Sequence, residues 1–274
     1  MTEQEKFLTW NPWHGCRKYS EGCQNCYVYR IDRSFGKDAS VVTKTSSFNM
    51  ALLKKRDKSY RLPSGSTVFT CMSSDFFIEE ADPYRDEVWG MINKRKDVRF
   101  NIITKRISRF LDCIPNDWGV GYENVTIGCT IENQPQCDAR LPIFLSLPIN
   151  NRFIICEPLL GPIVFKPRLN DKISYVIVGG ESGQKARVCD YDWVLAIREQ
   201  CIDSKVSFHF KQTGENFKKD NVLYRIKRSV HNEQAKKAGI DIEFLTDKGT
   251  NRQGDRDLSG LSVKNLSENI DLSE

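Results

Sequence analysis

The sequence lacks any long apolar run, so nothing in it reads as a membrane-spanning helix, and it opens MTEQEKFLTW without the charged-then-apolar pattern of a secretory leader. These absences lead us to expect a cytoplasmic protein with no membrane partner. The sequence also lacks a strong charge bias: 41 Lys and Arg against 36 Asp and Glu leave a net +5. That balance tolerates a polyanionic partner without arguing for one. There is no internal repeat beyond a strand-helix rhythm. No second Cys-x-x-Cys pair occurs either, which disfavours the usual four-cysteine zinc ribbon. With 274 residues and 39% hydrophobic content the chain can fill a core without disulfides. In a reducing compartment clustered thiols more often bind metal or do redox chemistry than pair as structural bridges.

What is present is a series of short apolar runs rich in β-branched and aromatic residues, at 67–72 (TVFTCM), 99–104 (RFNIIT), 124–131 (NVTIGCTI), 151–156 (NRFIIC), 174–180 (SYVIVGG) and 206–210 (VSFHF). Helix-like stretches lie between them. Residues 83–96 carry Val88, Met91 and Ile92 on one face, and residues 190–203 carry Trp193, Val194, Ile197 and Cys201. Asp82 and Asp190 read as helix caps. Alternating strands and helices predict an α/β fold with a mostly parallel sheet, open or closed into a full or partial barrel. Residues 32–66 read as a helix and a polar loop. The chain after about 218 is charged with little apolar periodicity, and we expect a C-terminal extension packed on the core or partly disordered.

Most of these strands are followed within a few residues by a charged side chain, and α/β enzymes assemble their sites on such carboxyl-end loops. Asp75, Lys105, Arg106, Glu132, Glu157, Glu181 and Lys211 are the candidates, with Glu157 and Glu181 in similar settings (CEP and GGES). The rival explanation is that strand ends are solvent-exposed and carry charge by default. For the remaining residues the structural reading is the better one: Cys71, Cys129 and Cys156 as small buried hydrophobes, His209 as a core histidine, Trp10 and Trp13 as packing around the cysteine loop.

Three cysteines fall in WHGCRKYSEGCQNCYVYR, residues 13–30, with six residues between Cys16 and Cys23 and two between Cys23 and Cys26. A two-residue gap lets neighbouring thiolates turn toward one metal centre, and Pro12, Gly15 and Gly22 supply the turns the loop needs. Two metals compete. Zinc wants four ligands and would close its set with His14 or a distant cysteine; an iron-sulfur cluster with three protein thiolates keeps one iron open.

TWNPWHGCRKYSEGCQNCY, together with TKR (104–106), CEPLLGPI (156–163), VIVGGESG (176–183) and FKQTGE (210–215), resembles a family of phage and bacterial three-cysteine-motif proteins of uncharacterised function that is similar to radical S-adenosylmethionine (SAM) enzymes. The resemblance spans roughly residues 7–217. It implies a partial (β/α)6 barrel over 1–217, with 218–274 as the extension and the cysteine loop after a first short strand at 7–10. It further implies that Cys16, Cys23 and Cys26 hold a [4Fe-4S] cluster whose open iron takes the amine and carboxylate of SAM. SAM would then be cleaved reductively to a 5′-deoxyadenosyl radical, with an electron donor as partner and nucleic acid or nucleotide as a candidate substrate. The chain departs from the usual pattern in its longer first gap and in Asn25, which stands where an aromatic precedes the last cysteine. Its Gly179-Gly180-Glu181 also follows a later strand than in those enzymes, so Ser73, Ser74 and Asp75 are better placed than Glu181 to contact SAM. Lys105 and Arg106 are expected either to bind the SAM carboxylate or a phosphate or to be an ordinary charged loop, and Glu157 and Glu181 either to bind ribose hydroxyls or substrate or to salt-bridge to a neighbouring Lys or Arg. The competing expectation is a non-catalytic, zinc- or cluster-stabilised nucleic-acid-binding protein, drawn from the basic stretches 96–106 and 218–228.

Overall fold

The computed structural model describes residues 8–244 and divides into two compact units, one of residues 8–131 and 135–155, the other of 132–134 and 156–244. Both are mixed α/β with parallel strands. Among the described residues no helix is long and apolar enough to cross a membrane.

The first unit starts with β1 (Leu8–Trp10) and β2 (Trp13–His14), passes through the cysteine loop into α1 (Tyr27–Ser34), and returns through β3 (Thr43–Lys44), which pairs antiparallel with β2. There follow β4 (Thr67–Thr70), α2 (Asp82–Lys94), β5 (Arg99–Thr104), α3 (Phe110–Cys113), β6 (Val125–Thr130), α4 (Gln134–Ser146) and β7 (Asn151–Cys156). The strands pair in parallel in the order β1, β4, β5, β6, β7, with Trp10 opposite Thr70, Thr70 opposite Ile102 and Thr104 opposite Cys129. β6 is buried along its whole length, as a continuous apolar strand covered on both faces must be.

An aromatic cluster fixes the loop after β4. Phe76 and Phe77 are fully buried, and Phe76 lies 5.2 Å from Trp13 and 4.8 Å from Trp89, ring to ring. Phe77 meets Phe110 edge-on at 5.6 Å. Each such pair contributes about 0.5–1.5 kcal/mol beyond the area it buries. Buried Arg85 then ties down the carbonyls of Phe76 and Ile78, leaving Asp75 in a rigid position.

The second unit contains β8 (Tyr175–Gly179), β9 (Val188–Asp190), α5 (Tyr191–Asp203), β10 (Ser207–Gln212), β11 (Asn216–Lys219), β12 (Val222–Arg225) and α6 (His231–Lys237). β8 and β10 are parallel, while β9, β11 and β12 form a separate small sheet. Asp220 and Asn221, with φ of 51° and 62°, make the tight turn between β11 and β12, as a two-residue hairpin requires.

Several expectations need correction. The extension was expected to begin at 218, but that boundary falls inside β11, and residues 218–244 supply the rest of β11, β12 and α6 to the second unit; residues 245–274 lie outside the described residues. The span 1–217, expected as one barrel domain, covers the first unit and part of the second. His209 is exposed and paired with Asp241 at 2.6 Å, because its place in β10 points outward between buried Phe208 and Phe210. Asp82 does not cap α2 with its side chain; the carboxylate instead binds Arg85 and Arg109. Asp190 does cap α5, accepting from the Asp192 amide at 3.1 Å.

Candidate functional site

All ten cysteines are free thiols, and they fall into two groups. Cys16, Cys23 and Cys26 are half-buried; Cys71, Cys113, Cys129, Cys137, Cys156, Cys189 and Cys201 are buried. The half-buried trio sits in a loop stitched to the loop after β4. Gly15 adopts φ +93°, and a Cβ there would stand 2.2 Å from the Val41 carbonyl oxygen, so only glycine fits this approach. Its amide donates to Ser73 O at 3.2 Å, its carbonyl accepts from the Ser74 hydroxyl, and the Cys16 amide donates to Ala39 O at 2.7 Å. A short 3-10 turn, Glu21–Cys23, follows, and Cys26 stands at the N-terminus of α1. Tyr29 donates its hydroxyl to Cys16 O at 2.5 Å, and Tyr27 donates to Met72 O. Trp10 and Trp13 are fully buried beneath this loop, as their packing role requires.

Beside Cys16 lies a buried ion pair. Asp75 Oδ1 accepts from the Thr104 hydroxyl at 2.7 Å and the Phe77 amide at 3.0 Å, and Oδ2 accepts from the Lys105 amide at 2.9 Å. Arg106 Nη1 stands 3.4 Å from the same Oδ2 and 3.8 Å from Cys16 Sγ. Its Nη2 donates to Arg17 O at 2.8 Å, and its guanidinium faces the Tyr19 ring at 4.9 Å. Asp75 thus acts through Arg106, holding a cation against the Cys16 sulfur. Burial first, and then the Asp75 carboxylate, push the Cys16 thiol up to about 12, against the pull of Arg106. Metal binding at such a thiol must release its proton. The Lys105 ammonium, half-buried, has no hydrogen bond or ion pair among the described residues. Changing Asp75→Asn would turn an amide donor toward the Lys105 amide and Arg106, and the expected loss is about 3 kcal/mol, read as a lower denaturant midpoint.

Residues Ser73, Ser74, Asp75, Lys105 and Arg106 therefore gather with the three cysteines in the first unit. Glu132, Glu157, Glu181 and Lys211 belong to the second. Glu157 binds Lys211 Nζ at 2.7 Å and Gln212 Nε2 at 2.6 Å. Glu181 is held at both oxygens by Arg187, at 2.9 and 2.6 Å. Glu132 is fully buried, and its carbonyl accepts from Leu160 at 2.8 Å. The GGES and KQTGE motifs are explained by each other: the Gly180 amide donates to Gln212 O at 3.0 Å and the Glu215 amide to Glu181 O at 2.9 Å. Arg187, Gln212 and the Arg106 contact to Cys16 are not apparent from sequence spacing.

Whether the loop suits a metal turns on its donor set. Among the described residues no three His, Cys, Asp or Glu side chains are gathered as for a single ion. His14, the ligand zinc would need nearby, commits Nε2 to Asp32 Oδ2 at 2.7 Å. A cluster makes a different demand, since each thiolate takes its own iron and the sulfurs stand wider apart than around one ion. Cys16, Cys23 and Cys26, half-buried on one loop and free of disulfides, are the thiols such a cluster would take. No curated protein and no solved structure matches the chain. One family model does, described as a protein of unknown function (DUF5131), over residues 3–264, and the chain belongs to that family.

Proposed function

We propose that the protein is an iron-sulfur enzyme of radical SAM type, with Cys16, Cys23 and Cys26 holding a [4Fe-4S] cluster and the parallel strands belonging to a partial (β/α)6 barrel. The observation that carries this reading is the exposure contrast: the only half-buried cysteines among the ten are the three between β2 and α1. When bound, such a cluster supplies a low-potential electron to the sulfonium of SAM, and reductive cleavage yields a 5′-deoxyadenosyl radical.

The chain's own residues serve that chemistry in distinct ways. Arg106, fixed by Asp75, sets a positive charge beside the Cys16 sulfur and favours its thiolate. Lys105 offers a free ammonium to a carboxylate such as that of SAM. Trp10 and Trp13 fill the space under the loop and exclude water. Ser73 and Ser74 hold the loop backbone. Protein reconstituted without oxygen and given dithionite and SAM should form 5′-deoxyadenosine, measured by chromatography. Intact SAM after incubation with a fully loaded protein would end this reading.

A further inference from the structure

Eleven large apolar side chains are exposed among the described residues, and five of them (Tyr19, Tyr27, Ile31, Phe35 and Val41) fall between residues 19 and 41. Tyr27, Ile31 and Phe35 follow one another at helical spacing along α1 and its C-cap, and Phe35 is 72% exposed. A helix in a globular unit normally turns such a stripe inward; α1 turns it to solvent. Beside it run Arg30, Arg33 and Lys37, all exposed, with side chains that make no hydrogen bond or ion pair among the described residues. The same segment borders a shallow, open groove lined by Ile31, Phe35, Val41, Lys37 and Lys44, with the carboxylates of Asp38 and of Asp32, the latter paired with His14, also on its wall.

Unpartnered cations around the open ring face of Phe35 are complementary to a polymer that carries phosphates on one side and flat bases on the other. We propose that α1 and the adjoining groove bind single-stranded nucleic acid, the phosphates meeting Arg30, Arg33 and Lys37, one base stacking on Phe35 and a nucleotide entering the groove. That this polymer is the substrate rests on the radical-enzyme reading; its binding does not. α1 begins at Tyr27, directly after Cys26, so a strand held there lies beside the cysteine loop.

The test is fluorescence anisotropy of the full chain with labelled single-stranded DNA and RNA of about 12 nucleotides, at low and moderate salt. Binding should weaken with salt. Changing Arg30→Glu together with Arg33→Glu should weaken it more than about tenfold and lower the magnitude of the salt slope by about 2. Phe35→Ala should cost about tenfold through lost stacking, and Lys172→Glu, an exposed change in the second unit, should cost nothing. Because the altered side chains are exposed, folding is checked simply by unchanged denaturant midpoints. No binding, or binding indifferent to Phe35 and to the two arginines, overturns the proposal. So does polyglutamate binding as tightly as the oligonucleotide, which would make the patch the seat of an acidic protein. Binding that persists in a protein unable to cleave SAM supports this inference while ending the enzyme reading.

Discussion

Changing Cys16→Ser, Cys23→Ser or Cys26→Ser should each abolish the iron that the protein retains after anaerobic reconstitution, as read by metal analysis and by loss of the broad visible absorption. A serine hydroxyl is a poor replacement for a thiolate on iron, and a three-thiolate set has no spare ligand. Cys201→Ala should leave the iron in place, because this thiol is fully buried on α5 and contributes packing alone; its cost is to stability, about 1 kcal/mol. Between these extremes stands Arg106→Met, which keeps all three ligands but removes the cation beside Cys16 Sγ. Loss of such a supporting partner typically weakens metal retention by about ten- to a hundredfold. The graded order, with the loop cysteines worst, Arg106 intermediate and Cys201 neutral, separates a metal-holding loop from a general requirement for folding. Equal iron in all of these variants would remove the loop from consideration.

The second large effect is on folding. Gly180→Ala would place a Cβ 2.1 Å from Thr213 O and 2.9 Å from Gly214 Cα. These are backbone atoms of the strand end that Gly180 itself hydrogen-bonds, so no side chain can swing aside. The expected cost exceeds about 4 kcal/mol, a large share of the roughly 5–15 kcal/mol that holds a domain folded. The variant should be largely insoluble or melt at far lower denaturant. Gly90→Ala is the matched control. Gly90 is exposed on α2 with nothing within 4 Å of the added methyl, and removing a helical glycine should raise stability by about 0.5–1 kcal/mol. If Gly180→Ala melts like the parent, the interlocking of the GGES and KQTGE strand ends is wrong.

Much of the fold was legible because parallel strands are apolar and β-branched along their length. RFNIIT and NRFIIC have the bounds expected for β5 and β7, whereas β10 continues through Lys211 and Gln212, polar residues that the apolar pattern excludes. α4 was hidden by its prolines. Pro135 lies in the first turn, where no amide is needed, but Pro142 sits inside the helix, where a reader of sequence expects a break. α1 was misplaced for the opposite reason, its helix being expected from residue 32 onward: Tyr27 and Ile31 face solvent while Val28 and Asp32 are buried, Asp32 against His14, so its pattern does not look like a core helix. In the site, the cysteine spacing was visible locally, and so were the charged residues at the strand ends. What escaped was pairing across loops. Asp75 and Arg106 are partners only because β4 and β5 are adjacent, and Glu157, read either as a candidate for sugar hydroxyls or as a salt-bridge partner, takes Lys211 as that partner only through the second unit's own packing. Charged residues are interchangeable in sequence until the sheet order says which of them meet.

The most direct test of the account is the iron, sulfide and zinc content of the full chain purified without oxygen. A three-thiolate cluster predicts iron and acid-labile sulfide in equal amounts, on the order of four of each per chain, with negligible zinc. One zinc per chain with neither iron nor sulfide would contradict it.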